Sequence, residues 1–166
     1  MTVRKTMLSD LDTVMAIYAY AREFMRESGN ADQWGDVHPP RSAIEQDIQR
    51  GESYVCEENG KVLAVFQLLL GPDPTYAKIK GAWLNDAPYS VIHRIARAKD
   101  AKGMGTFCIN WCIEQAKTIR IDTHKDNVPM LKLLDNLGFT YCGIIWIENG
   151  DERLAFQKDA DDHLLL

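Results

Sequence analysis

The apolar positions of this chain change period several times, and each change predicts an element. Residues 3–5 read as a short strand, after which Ser9 with Asp12 forms a capping box that opens a helix. Leu11, Val14, Met15, Tyr18, Ala21 and Met25 recur at helical spacing, so this helix should lay one stripe against a core. Breakers dominate residues 29–40, a loop that holds Trp34 and His38. Ser42 with Glu45 then caps a second, short helix that ends at Gly51. Residues 54–57 and 61–70 flank Asn59 and Gly60, the dipeptide that most strongly signals a hairpin.

Residues 71–88 keep no period and carry Tyr76 and Trp83; a connection of that length is a functional loop or a cover packed on a sheet edge. A strand over 91–97 leads through a glycine loop into a helix bearing Phe107, Cys108, Trp111, Cys112 and Gln115, and residues 118–123 return as a strand. That strand, helix, strand unit should make its two strands parallel. Asn127 with Pro129 starts a further helix, which Gly138 ends. A second hairpin, 141–148 with 153–158, turns at Asn149 and Gly150, and 159–166 read as a frayed, disordered tail.

With 166 residues, 46% of them hydrophobic, the chain suits a single domain over 1–158 with a substantial core. No apolar run is long enough to cross a bilayer and the first residues are polar, so a cytoplasmic protein without a membrane partner is expected. A net charge of -5 with the signs interspersed argues against a nucleic-acid partner and permits a cationic small molecule. The four cysteines, Cys56, Cys108, Cys112 and Cys142, show no CxxC pairing. Cys108 and Cys112 sit one turn apart on an apolar stripe, as packed thiols do, so neither a metal site nor structural disulfides are expected.

Lys102, Gly103, Met104, Gly105 and Thr106 carry the candidate chemistry. A strand feeding a helix through small residues leaves the first-turn N–H groups pointing outward, where they can take phosphate oxygens. Glycines at such a place more commonly serve only to relieve backbone strain, so the context of the loop has to decide. The loop lacks the Lys-Ser/Thr ending of a nucleoside-triphosphate loop and the chain has no GxGxxG, so a phosphorylated ligand is expected and nucleotide hydrolysis is not.

The order strand, two helices, three strands, helix, strand, helix, two strands resembles the GNAT superfamily of acyl-CoA N-acyltransferases over nearly the whole chain. The residues that carry the likeness are the strand 91–97, the loop 100–105, Asn127, and 133–139 ending in Gly138 and Phe139. The resemblance implies an α/β fold, a mixed sheet of about six or seven strands flanked by about four helices, with the parallel strands 91–97 and 118–123 splayed at a bulge. It implies acetyl-CoA as acyl donor, its pantetheine arm against the backbone of Ile95, Ala96 and Arg97. Its pyrophosphate would rest on the N–H groups of Lys102, Gly103, Met104, Gly105 and Thr106, with Asn127 completing the cofactor set.

Two departures from the family pattern stand out. Asp100 replaces the usual Gln or Arg at the start of the loop, where Lys99 and Lys102 can offset its charge, and the loop is about two residues shorter than usual. Leu134 occupies the position at which many members place a Tyr that protonates the departing thiolate.

Attack of a neutral amine on a thioester requires proximity, an N–H for the developing oxyanion and a proton acceptor. Backbone around Ile95 or Ala96 would supply the N–H. His93 is the first candidate base, because an imidazole titrates near neutrality, and it serves equally well as a core histidine. His124 with Asp122 and Asp126 forms a second cluster, better read as turn and capping chemistry. Tyr141 offers a hydroxyl for the sulfur or is a half-buried strand residue. Trp34, Trp83 and Trp146 wall an acceptor pocket or simply pack. Glu23, Glu27 and Glu148 attract a cationic acceptor or lie on a solvated face.

The expected activity is transfer of an acetyl group to a primary amine of a small molecule or peptide, directly within a ternary complex and without an acyl-enzyme. A homodimer is an arrangement such folds commonly take. The alternative is a non-catalytic acyl-CoA-binding module, which the missing acid at Leu134 would suit; a phosphate-ligand enzyme of unrelated chemistry fits the helix order less well.

Overall fold

The computed structural model describes residues 1–160. In chain order the elements are β1 (Thr2–Lys5), α1 (Leu11–Glu27), α2 (Arg41–Gln49), β2 (Ser53–Glu58), β3 (Lys61–Leu70), β4 (Lys80–Gly81), β5 (Ser90–Arg97), α3 (Met104–Gln115), β6 (Thr118–Thr123), α4 (Val128–Asn136), β7 (Thr140–Trp146) and β8 (Glu152–Asp159). The strands form an eight-stranded mixed sheet in the order β1-β2-β3-β5-β6-β8-β7-β4. β5 and β6 run parallel, while β1 with β2, β2 with β3, β6 with β8, β7 with β8 and β4 with β7 run antiparallel. The strand beyond the expected six or seven is β4, two residues paired at Lys80 with Ile144 and Gly81 with Gly143, inside the segment whose sequence has no period. Among the described residues no helix is long and apolar enough to cross a membrane.

Contacts divide the chain into two compact units, one formed by 1–68 and 93–108, the other by 69–92 and the chain from 109 onward. In the first unit, Leu11, Val14, Ile17 and Tyr18 of α1 and Ile44 of α2 pack with Val55, Val65 and Ala96. Leu11, Val14 and Tyr18 belong to the helical stripe read from the sequence, Met15 and Ala21 of that stripe pack half-buried against them, and Ile17 is an addition to it. In the second unit, Tyr76, Val91, Ile145 and Ala155 form the buried centre, with Leu69, Ile79, Trp83, Tyr89 and Ile147 against it.

Two helix starts differ from expectation, each for an electrostatic or backbone reason. A 3-10 turn at Leu8–Asp10 precedes α1, and the Met7 N–H donates to Asp10 Oδ2 at 2.7 Å, so Asp10 rather than Ser9 with Asp12 closes the first turn. Asp10 is drawn there by Arg4, whose Nη1 and Nη2 lie 2.8 and 3.0 Å from its two carboxylate oxygens. α2 begins at Arg41 behind Pro40, whose extended ψ of 154 sets the entry, and Ser42 lies inside the helix instead of capping it. Asp159, expected to open a frayed tail, is the last residue of β8, and the Ala160 N–H donates to the Lys117 carbonyl. The rest of that expected tail, 161–166, lies outside the described residues.

The Arg4 guanidinium also bonds Glu57 of β2, at 3.0 and 2.8 Å, so one side chain ties β1 to β2 and to the entry of α1. Hydrogen bonding from Arg4 holds the Asp10 carboxyl below the ordinary aspartate range. In the unfolded chain the carboxyl returns to that range, so the ionised contact adds stability above it and loses that contribution as pH falls through it toward the lowered native value. Asp10→Asn should therefore cost about 1–3 kcal/mol at neutral pH. In chemical denaturation the gap to wild type should close in acid; a gap independent of pH would exclude this role.

Candidate active site

The sequence of β5 breaks strand alternation: Val91 and Ile92 are apolar, His93 and Arg94 polar, Ile95 and Ala96 apolar again. The backbone explains the break, since Arg94 adopts a left-handed φ of 52, a region that bulky residues avoid. Among the described residues the parallel ladder of β5 with β6 joins only Ser90 to Ile119 and Val91 to Arg120, although β5 continues to Arg97. A left-handed residue inside a strand terminates regular pairing and re-aims its neighbours.

Side chains from three elements of the first unit converge on this kink. The Tyr18 hydroxyl of α1 donates to the Arg94 carbonyl at 2.9 Å, and its ring is 1% exposed. Arg94 Nη1 donates to Gln67 Oε1 of β3 at 2.9 Å, and Gln67 Nε2 donates to Asp47 Oδ1 of α2 at 3.1 Å. Arg94 Nε stands 3.6 Å from Asp47 Oδ2, an ion-pair distance that is long for a hydrogen bond. Burial pushes the Asp47 carboxyl up from the ordinary range, and the charges of Arg94 and His93 act against that shift. Burial likewise raises the Tyr18 hydroxyl, which therefore stays protonated and a donor.

After β5 the chain turns through two left-handed residues, Asp100 at φ 64 and Gly103 at φ 79. Aspartate tolerates that conformation better than most side chains, a backbone reason for Asp100 where the family places Gln or Arg. The Ala98 N–H donates to Leu63 at 2.8 Å and the Ala101 N–H to Ala98 at 3.2 Å, which fixes the approach to α3. The first bond of that helix runs from the Phe107 N–H to the Gly103 carbonyl at 3.2 Å. Helix geometry thus leaves the N–H groups of Gly103, Met104, Gly105 and Thr106 ahead of any intrahelical acceptor. Met104 is buried and anchors the turn, whereas Lys102, Gly103 and Thr106 are exposed. A Cβ added at Gly103 would meet no atom within 4 Å, so the space beside the Gly103 Cα is open. Arg97 lies 5.4 Å over the Phe24 ring, and Ile95 is half-buried.

His93, Ile95, Ala96, Arg97, the loop residues and Trp34 therefore fall in one compact unit. Trp34 packs edge-on against Tyr18 at 5.8 Å and against His38 at 5.8 Å, the packing alternative for that residue. Glu23 and Glu27 fall in that unit too, whereas Asn127, His124, Tyr141, Trp83, Trp146 and Glu148 belong to the second. Asn127 caps α4, its Oδ1 accepting the Met130 N–H at 3.3 Å, and His124 Nδ1 accepts the Asp126 N–H at 3.0 Å, which is the turn chemistry favoured for that cluster. Tyr141 is 54% exposed, edge-on to Phe156 at 5.6 Å. Trp83 donates through Nε1 to the Tyr76 carbonyl at 3.0 Å, and Leu134 is fully buried in place of the usual acid.

Sequence reasoning missed Asp47, Gln67 and Tyr18 as a group, and it missed Arg120. Signals for two of them exist: Gln67 is the one polar residue between Val62 and Leu70, and Asp47 follows Ile44 by three positions, on the buried side of α2. Arg120, buried, lies 4.3 Å from the Trp83 ring and 4.0 Å from the Tyr89 ring and bonds the Asn85 carbonyl at 2.8 Å. It thereby pins the long segment between β3 and β5, and Tyr76 adds a hydrogen bond to Asp122 at 2.7 Å.

Comparison with known proteins places this geometry. The sequence profile of the acetyltransferase (GNAT) family matches residues 15–139. No curated protein sequence matches the chain. Among solved structures, a GNAT-family acetyltransferase of Streptococcus agalactiae is 31% identical with a TM-score of 0.87, over 96% of this chain and 95% of that one. A putative acetyltransferase of Staphylococcus aureus is 25% identical with a TM-score of 0.72, over 96% and 99%. The Salmonella typhimurium protein yncA, a putative acetyltransferase solved with acetyl-CoA, shares the fold at 17% identity and a TM-score of 0.63, over 98% and 95%. The chain belongs to the GNAT acetyltransferase family.

Proposed function

We propose that this protein is an N-acetyltransferase that moves an acetyl group from acetyl-CoA to a primary amine of a small molecule or peptide, by direct attack within a ternary complex. The observation that carries the reading is the start of α3: four consecutive N–H groups without an intrahelical acceptor, with open space beside the Gly103 Cα. Lys99 and Lys102, both exposed, add positive charge beside them.

In this reading the backbone of Ile95, Ala96 and Arg97, released from the β6 ladder, pairs with the pantetheine amides. The amides of Lys102 through Thr106 hold the pyrophosphate. The acceptor amine attacks the thioester carbonyl carbon, the N–C bond forms, and the C–S bond breaks to release CoA thiolate. A main-chain N–H near Ile95 or Ala96 bonds the developing oxyanion. The ammonium proton passes to His93, a half-buried side chain of β5. Trp34, in the same unit, is the candidate to border the acceptor. The fully buried Leu134 favours a second reading, an acyl-CoA-binding module without turnover.

Gly103→Val should weaken acetyl-CoA binding by at least tenfold in calorimetry, because a β-branched residue resists a positive φ and its methyls fill the open space. Unchanged affinity would remove the phosphates from this loop. His93→Ala should lower kcat about 10²-fold while the KM for acetyl-CoA stays put, as loss of a proton acceptor does. Assayed over a panel of amines, polyamines, aminoglycosides and peptides, undiminished turnover would make His93 structural, and no turnover by wild type would select the binding module.

A further inference from the structure

We infer that Gln67 is a positioning residue for the acyl donor: by bridging Asp47 to Arg94 it holds the left-handed kink of β5 and so aims the backbone that follows, from Ile95 to Arg97. The inference rests on the reading of β5 as the strand that presents the donor.

Three facts support it. Gln67 is 5% exposed and uses both ends of its amide, Oε1 accepting from Arg94 at 2.9 Å and Nε2 donating to Asp47 at 3.1 Å. Arg94 holds φ 52, which a non-glycine residue keeps only where its surroundings over-determine it. The kink is also gripped from its main chain, where the Arg94 carbonyl accepts the Tyr18 hydroxyl at 2.9 Å. Side chain and carbonyl of one residue are thus fixed from α1, α2 and β3, and because the Arg94 carbonyl and the Ile95 N–H share one peptide plane, holding the first holds the second. A strand left to itself would relax Arg94 into the extended region and extend its regular pairing.

Removing a bridge that served stability alone would lower the melting temperature and leave the affinity of the folded protein unchanged. A bridge that holds φ has a different signature, because glycine adopts the left-handed region without steric cost. Arg94→Ala and Arg94→Gly delete the same side-chain contacts and differ in backbone preference. Both are best compared in an Asp47→Asn background, so that no buried carboxylate is stranded.

The test is acetyl-CoA binding by calorimetry, with thermal melting in parallel. Gln67→Leu should weaken binding about tenfold, in keeping with the usual cost of a left-handed non-glycine residue. Within the Asp47→Asn background, Arg94→Ala should bind about tenfold more weakly than Arg94→Gly, even though glycine is the less stabilising residue in a strand. Equal affinity of the alanine and glycine variants would overturn the positioning role, as would a Gln67→Leu protein that binds like wild type. A wild-type protein that binds no acetyl-CoA would overturn the donor reading itself, a result distinct from either.

Discussion

The way β5 would present the pantetheine arm depends on one backbone constraint, the left-handed conformation of Arg94. Such a residue costs about 1–3 kcal/mol, and three elements of the first unit offset it through Tyr18, Gln67 and Asp47. A carboxyl that burial pushes toward its neutral form stands 3.6 Å from the Arg94 guanidinium, and the strand that carries Arg94 leaves the β6 ladder after Val91.

The two ends of the proposed reaction draw on different parts of the chain. The donor side is main chain: the kink, the turn through Asp100 and Gly103, and the first turn of α3. Backbone recognition tolerates many side chains, which is why a family pattern survives here with Asp100 and a shortened loop. The acceptor side has to be built of side chains, and those that appeared available have local duties. Trp83 and Arg120 hold the segment between β3 and β5, and Trp34 packs on Tyr18. Identity of the acceptor therefore does not follow from the features on which the donor proposal rests.

That asymmetry also governs how much of the structure could be read from the residues. The hairpin at Asn59–Gly60, the stripe of α1, the parallel β5 and β6 and the helix opened by Asn127 follow from period and turn chemistry, which are local. What escaped is non-local. Nothing near Ser9 in sequence reveals that Arg4 captures Asp10 and so moves the cap, and nothing within residues 71–88 reveals that Arg120 waits between Trp83 and Tyr89. The polar residues of the β5 kink were visible as breaks in pattern, Gln67 in an apolar run and His93 with Arg94 in a strand. Their meaning required the fold, because a break in pattern announces a constraint without naming its partner.

The cysteines bear on how the acetyl group would travel. An acyl-enzyme needs a thiolate that can reach the thioester, and all four cysteines are buried. Burial pushes the Cys108 thiol up to about 12 and raises Cys56 and Cys142 as well, so near neutral pH these three are protonated. In the proposed reaction the attack is made by the acceptor amine. The group it expels is a thiolate, whose conjugate acid titrates near about 8.5 in ordinary thiols, so the C–S bond can break without a proton delivered at the sulfur. The buried Leu134 and a catalytic reading are compatible on that ground. The demanding step becomes removal of the proton from the acceptor ammonium, and among the candidates of the first unit His93 is the side chain with the chemistry for it.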